Sequence, residues 1–385
     1  MSKGWDFDFI VIGGGGAGLA AAITAKRDGA SVMVLEADKN LGGAIIVSGG
    51  VFYAAGTSVQ RARGIEDSAD EMFDHLMNIS QWELAPGLVR LICDHSAPTL
   101  EWLISLGARF PPELLTLSGP ERVPRSHPSE GVGTRVGDVL FNAAGAESVE
   151  YAVNTRVERL LVDEGRVCGV VAGGTELRAP HVLIATGGFG NNRAMIERLW
   201  PTALEHGDRL IAVHEPVPFI LGDGITLGES VGAKVVGYDH GLLLPKSGHL
   251  GVKGVEDVFL PPWIALVNRE GRRFVDETQS YNITGYVLNE QTDRLGFAIF
   301  DERAVRQATG DRSWGDPYQS GTIPAWEEET LRRRIADGTI ITAGSIEELA
   351  QKAGIAGPRL ARTIEIYNED CARGQDRDFC KDTHL

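Results

Sequence analysis

Gly13, Gly15 and Gly18 follow an apolar run at residues 7–12 and open an alanine-rich segment, and Glu36 closes a second apolar run at residues 31–35. Each of these residues has a chemical use. The first glycine allows a tight turn, the second lets backbone approach a pyrophosphate, and the third lets a helix lie close on a strand. A helix N-terminus with unpaired amides then faces the phosphates. A carboxylate at the end of the second strand takes both ribose hydroxyls and disfavours a cofactor that carries a 2′-phosphate. Glycines at this spacing alone make only a tight loop; strand, helix and acid in this order make a dinucleotide-binding βαβ unit.

Further glycine-rich stretches fall where backbone could meet a ligand. Gly42-Gly43 and Ser48-Gly49-Gly50 are too rich in glycine for a regular element and are expected to run close to a ligand. Residues 181–185 form an apolar strand that ends in Thr186-Gly187-Gly188, and Gly222-Asp223-Gly224 precedes a short helix with Asp223 as its expected N-cap and Gly232 as its stop.

The remaining pattern supplies the scaffold. Residues 65–106 have apolar side chains at helical spacing, among them Met72, Phe73, Leu76 and Met77, and predict a packed helical layer. Residues 111–133 are rich in proline and read as an irregular connection. Strands are expected at 148–152, 155–162 and 167–171, with a hairpin turn at 163–165. Beyond about residue 233 the character changes to mixed strands and charged helices. A hairpin is expected from 264 to 274, a strand at 297–300, and amphipathic helices at 327–335, 346–352 and 359–371.

At 385 residues the chain can build two cores, and a net charge of -16 argues against nucleic acid or an anionic membrane surface as partner. No apolar stretch approaches the length of a membrane span, the N-terminus does not resemble a secretory signal, and a reduced cytoplasmic setting is the expectation. Cys93, Cys168, Cys371 and Cys380 contain no C-x-x-C pair, and the histidines lack ligand spacing, so neither a disulfide reductase nor a metal site is expected.

In collinear order, DFIVIGGGGAGLAAAITA, LEADKNLGGAIIVSGG, VLIATGGFGNN, GDGITLGESVGA, ALVNREGRRFVDE and TIEIYNEDC resemble the flavoproteins of the fumarate reductase and succinate dehydrogenase superfamily, which includes the 3-ketosteroid dehydrogenases. The resemblance implies an α/β fold, a Rossmann-like FAD-binding domain (GR2 type) with an inserted α+β capping or substrate domain. The expected division is an FAD-binding domain at 1–232, with a helical insertion at about 60–130, and a cap at 233–385. It also implies cofactor contacts. Gly13, Gly15, Gly16, Ala17 and Gly18 hold the pyrophosphate, and Glu36 and Ala37 lie at the adenosine ribose. Gly42, Gly43, Ala44, Ser48, Gly49 and Gly50 run along the ribitol and flavin. Val157 meets the adenine through its backbone, and Ala185, Thr186, Gly187 and Asp223 complete the cradle.

Departures from the family pattern narrow the chemistry. Succinate dehydrogenases tie the flavin to a histidine just before the second glycine block; Gly43 and Ala44 stand there, which implies non-covalent FAD. Fumarate reductases hold their dicarboxylate with a histidine after the GDG block and protonate with an arginine after RF-x-x-E. In the same registers this chain has Leu244 and Tyr281. Such a pocket loses the charges that bind a small diacid and suits a large, mostly apolar cyclic ketone.

The ketosteroid branch carries a tyrosine in RF-x-x-E-x-x-x-Tyr, matched here by Arg273, Phe274, Glu277 and Tyr281. Removing two hydrogens beside a ketone needs a base for the α-proton and a hydride acceptor for the adjacent carbon. A phenol with an ordinary pKa near 10 needs neighbouring donors or positive charge to serve as that base, and Arg272 or Arg273 is a candidate donor. The alternative for Tyr281 is a ring packed at the cap with its hydroxyl in water, and Tyr53 is a second tyrosine near the flavin stretch. In the resembled family a C-terminal segment returns from the cap to the flavin domain and polarises the ketone. This chain stops about where that return begins, so the segment is expected to be absent, at a cost of about 3 to 4 kcal/mol in transition-state stabilisation. The competing expectations are a reductase of an unsaturated carboxylate and a nucleotide-binding protein without catalysis; the electron acceptor is not identified by any residue pattern.

Overall fold

A computed structural model describes residues 4–117, 121–206, 219–243, 245, 260–308 and 326–381. The chain divides into two compact units, one of Met1–Leu115 with Arg125–Gly241, the other of Thr116–Pro124 with Leu242–Leu385.

The first unit opens with β1 (Phe9–Ile12), α1 (Gly16–Arg27) and β2 (Val32–Leu35), followed by a 3-10 turn at Gly43–Val47 and β3 (Val51–Tyr53). A helical stretch follows, with α2 (Ser58–Ala62), α3 (Ala69–Ile79) and α4 (Pro86–Ser105), then β4 (Ser126–Pro128), α5 (Val132–Ala146) and β5 (Glu150–Ala152). An antiparallel meander of β6 (Val157–Asp163), β7 (Arg166–Ala172) and β8 (Thr175–Arg178) leads to β9 (His181–Ile184), α6 (Arg193–Leu199) and α7 (Asp223–Ser230).

The central sheet is parallel, in the order β5-β2-β1-β9, with Val11 paired to Val34 on one side and Leu183 on the other. Strand periodicity sorts its two faces. Val11, Val32 and Val34 pack with Leu19 and Ile23 of α1 and Val136 and Leu140 of α5. Ile10, Ile12 and Leu35 point the other way, onto Val157, Leu160 and Val170 of the meander. Both faces are covered, which is why these strands are apolar throughout.

Beside the sheet, β3 pairs with β4 and encloses a polar cluster. Thr57 caps α2 in a capping box with Gln60, Gln60 donates to Asp67, and Arg125 grips Asp67 with two hydrogen bonds of 2.8 and 2.7 Å. His127 sits within it, 1% exposed, with Nδ1 at 2.7 Å from the Arg125 carbonyl and Nε2 at 2.9 Å from the Thr57 hydroxyl. The Arg125 carbonyl, like that of Phe52 at 3.1 Å from the same nitrogen, can only accept, so Nδ1 carries the proton and Nε2 accepts from Thr57.

In the second unit, β10 (Ala265–Val267) precedes α8 (Tyr281–Asn289) and β11 (Phe297–Ile299), then α9 (Glu302–Gln307), α10 (Glu328–Ala336), α11 (Ile346–Ala353) and α12 (Gly357–Arg373). β10 and β11 are antiparallel, and Val267 packs with Ala350 and Leu360 of the last two helices and with Ile355 in the turn between them. Gly271 permits the approach, because a Cβ there would lie 2.7 Å from the Leu360 nitrogen. A separate core joins Val305 and Leu331 to Trp263, Phe300 and Trp326, whose rings meet edge to face.

The three C-terminal amphipathic helices stand where their spacing places them, each shifted by a residue or two at an end. Several expectations need correction. The stretch after Gly42 is not irregular throughout, since residues 43–47 close a 3-10 turn. The supposed connection at 111–133 contains β4 and the start of α5. β10 pairs with β11 rather than with 271–274, which contribute one isolated bridge, Val267 to Arg273.

Candidate active site

The nucleotide cradle starts where β1 ends. Gly13 has φ +104°, and a Cβ on it would stand 2.4 Å from the Ala185 carbonyl; a Cβ on Gly18 would meet the Gly13 carbonyl at 1.9 Å. The turn, the first turn of α1 and the end of β9 are thus pressed together without room for side chains. Gly15 is the N-cap of α1, and the helix starts with neither a side-chain cap nor an acidic residue in its first turn. A Cβ on Gly15 would have only the Gly42 oxygen and the Gly43 Cα within reach, each at 3.9 Å. Gly16, Ala17 and Gly18 therefore offer their amides to a bound group, and the helix dipole favours an anion there. These residues fit a dinucleotide pyrophosphate.

Glu36, 9% exposed, accepts from Gly14 N through Oε2 and from Asp38 N through Oε1, both at 2.7 Å. Expected to take ribose hydroxyls, it is fixed in place by main-chain amides, and each oxygen retains a second lone pair for a ligand. Ala37 follows it in the same turn. Gly42 N donates to the Gly14 carbonyl at 2.9 Å, so the second glycine stretch is laid along the first. Ala44 lies in the 3-10 turn, and Ser48 closes it by donating to the Ile45 carbonyl. Gly49 is exposed; Gly50 has φ +65°, and a Cβ there would strike Val132 and Gly133 at the start of α5.

At the other side of the turn, Thr186 Oγ1 accepts from Gly224 N at 2.9 Å and so ties the end of β9 to the start of α7. Asp223 is not the N-cap of α7, as the sequence led us to expect. Gly222, in the left-handed conformation, holds that place, and the Asp223 carboxylate instead pairs with the Arg156 guanidinium. Arg156 was not singled out in the sequence; its position immediately before Val157 was the available signal. Val157 starts β6 opposite Ala172, with its side chain in the core. Ala185, Thr186 and Gly187 line a cleft of about 400 Å³ together with Gly224, Ile225 and Lys234.

In the second unit, Tyr281 is the first residue of α8, a helix that Ser280 precedes without a side-chain cap. Arg273 is not free to assist it. Its guanidinium, 1% exposed, donates to Glu277 at 2.9 and 2.8 Å and to Asp376 at 2.9 Å twice. The Lys381 amine, fully buried, donates to Glu277 at 3.1 Å and to the Tyr367 hydroxyl at 3.0 Å. Two cations and two carboxylates thus balance one another in a buried cluster, with the Tyr367 and Phe379 rings against Arg273. Burial opposes the ionised form of Asp376 but is outweighed by the hydrogen bonds from Arg273 and from backbone, and the carboxyl falls to about 2. Burial, with Glu277 nearby, raises the Tyr367 phenol, so it stays protonated and donates to the Ile264 carbonyl. Nothing in the sequence marks Lys381 as the partner of Glu277, since 104 positions separate them. Arg272 directs its amide to the Asn268 side chain. Leu244 lies outside the described residues, and among those residues no cluster of His, Cys, Asp and Glu could hold a metal.

Comparison with known proteins fits this geometry. The profile of the FAD binding domain family matches residues 8–384. The chain belongs to that family. It is 30% identical over 97% of its length to a fumarate reductase (cytochrome) of Shewanella frigidimarina, covering 62% of that protein. It is 29% identical, again over 97%, to a urocanate reductase of Eggerthella lenta, covering 61% of it. The chain therefore spans about three fifths of the length of these curated relatives. Among solved structures, a 3-ketosteroid-Δ4-(5α)-dehydrogenase of Rhodococcus jostii superposes with a TM-score of 0.73 at 26% identity, over 99% of this chain and 81% of the other. FAD is thus the nucleotide the family binds, and the α/β fold is the flavoprotein fold of these neighbours. Among the described residues no helix is long and apolar enough to cross a membrane.

Proposed function

We propose that this protein is an FAD-dependent oxidoreductase acting on a carbon-carbon bond adjacent to a ketone in a steroid-like or alicyclic substrate. The observation that carries this reading is Tyr281 at the first position of α8. A phenol at the start of a helix, in the register RF-x-x-E-x-x-x-Tyr, is a side chain able to take up and return a proton. Tyr281 Oη takes the proton from the carbon next to the ketone, or returns it in the reverse direction. Bound FAD supplies the two-electron chemistry at the neighbouring carbon. Glu36 and the amides of Gly16, Ala17 and Gly18 hold the cofactor non-covalently, as Gly43 and Ala44 offer no atom for a covalent link. The second unit is read as the cap, and the protein as a cytoplasmic enzyme whose electron acceptor is open.

The relatives favour a second reading, a reductase of an unsaturated carboxylate. Anaerobic reduction of the purified flavoprotein separates the two. A cyclic ketone that bleaches the wild-type flavin, and does so at least a hundredfold more slowly in Tyr281→Phe, supports the ketone reading. Undiminished reductive rates in Tyr281→Phe reject the assignment of the base. Oxidation of the reduced enzyme by fumarate or urocanate, but not by enones, establishes the second reading.

A further inference from the structure

We infer that Arg156 is a cofactor-binding residue for the adenosine end of FAD, and that Asp223 serves by holding it. The inference rests on the FAD cradle described above and assigns two of its side chains. A closed chain of contacts leads to it. Gly14 N binds the Glu36 carboxylate at 2.7 Å, Thr155 N binds the Glu36 carbonyl at 2.7 Å, and Asn154 N binds the Asp38 carbonyl at 2.8 Å. Residues 154–156 are therefore pinned along the turn that carries the ribose-binding carboxylate. Arg156 leaves that segment and pairs with Asp223 on α7. Gly224 N, the next residue, binds Thr186 Oγ1, and Thr186 Cα lies 3.2 Å from where a Cβ of Gly13 would be. The circuit returns to the turn at Gly13 and Gly14.

Two carboxylates on this circuit, Glu36 and Asp223, would together repel a diphosphate. Arg156 cancels the second. Paired with Asp223, its guanidinium brings a planar, weakly hydrated face whose charge the carboxylate balances, which suits an adenine ring better than it suits a phosphate. Both side chains remain partly open, at 38% and 29% exposure, as a group that meets a ligand must be. Asp223 on this account is a positioning residue that touches Arg156 rather than the nucleotide.

The test is titration of the cofactor-stripped full-length protein with FAD and with ADP as separate probes, by calorimetry and flavin fluorescence. Arg156→Met is expected to weaken FAD and ADP by the same factor, about tenfold. Asp223→Asn should weaken both about threefold, and the double variant should bind no worse than Arg156→Met, because the second residue acts through the first. Arg156→Lys, which keeps the charge and loses the plane, guards against a folding defect. It should retain the melting temperature of the stripped wild type and still bind ADP at least fivefold more weakly. Affinities within twofold of wild type in Arg156→Met, full ADP affinity in Arg156→Lys, or a loss for FAD that ADP does not share, would each overturn the inference. Wild-type protein that binds neither probe would sink the cradle itself, a different result from intact binding that ignores Arg156.

Discussion

In the nucleotide-binding unit the charge-handling groups are main-chain amides around glycines, with Glu36 held by two of them and Asp223 by one arginine. In the second unit Arg273, Lys381, Glu277 and Asp376 settle their charges against one another, beneath the Tyr367 and Phe379 rings and away from solvent. The first arrangement leaves unpaired donors for an anion to complete. In the second every charged atom already has a partner, and the cluster acts as a brace that ties residues 376–381 to the segment just ahead of α8. Polarity in a protein interior is therefore no guide to binding by itself; what distinguishes the two regions is whether a polar group still lacks a partner.

The strongest way to break this contrast is to remove the centre of the brace. Arg273→Ala leaves Glu277 and Asp376 buried without their main partner, and a loss of about 3 to 5 kcal/mol in urea unfolding is expected, with faster hydrogen exchange in peptides from α12. A loss under 1 kcal/mol would show that water enters the cluster freely. Next in size is Gly18→Ala. The added methyl meets the Gly13 carbonyl, so about 2 to 3 kcal/mol of stability should go, together with most of the FAD retained on purification, read from the visible absorbance per protein. Unaltered FAD content would mean that α1 shifts without disturbing the cradle.

Acid should distinguish the units by where each begins to weaken. Asp376 ionises at about 2 in the fold against 3.8 for the free side chain. Its contribution is fully present above 3.8 and disappears as pH falls through about 2, a loss on the order of 2 kcal/mol. Asp376→Asn should remove that slope from urea midpoints measured across the interval. The smallest effect belongs to His127, whose pKa burial lowers below the usual 6.5. The unfolded chain takes up its proton first, so stability begins to fall as pH drops below 6.5. His127→Gln should flatten the urea midpoint between neutral pH and about pH 5, whereas a slope that persists in this variant would place the titrating group elsewhere.

What the sequence disclosed follows from how local each signal is. The βαβ unit was legible because turn, helix start and strand-ending acid lie within 30 residues, and glycine is the residue that such close packing tolerates. The terminal helices showed their period of 3.6. By contrast, β4 is three residues long and includes a proline, so it has no strand period to read, and α5 starts between Gly131 and Gly133 at the end of a proline-rich stretch, where its first turn is hard to tell from a loop. The pairing of Asp223 with Arg156, and of Lys381 with Glu277, depends on elements that meet only in the fold. Tyr281 was visible through the spacing of its motif, but that it begins a helix was not, since Gly285 and the polar residues beside it dilute the apolar stripe.

Cys380 and Lys381 are neighbours with opposite fates: the thiol is exposed, on a residue at φ +56°, while the amine next to it is sealed inside the fold. Cys93 and Cys168 are buried, so an alkylating dye has few places to go. A fluorophore attached at Cys380 would sit one peptide bond from the buried lysine and report when residues 376–381 leave the brace. The molecule thus carries its own attachment point for watching the brace open in real time.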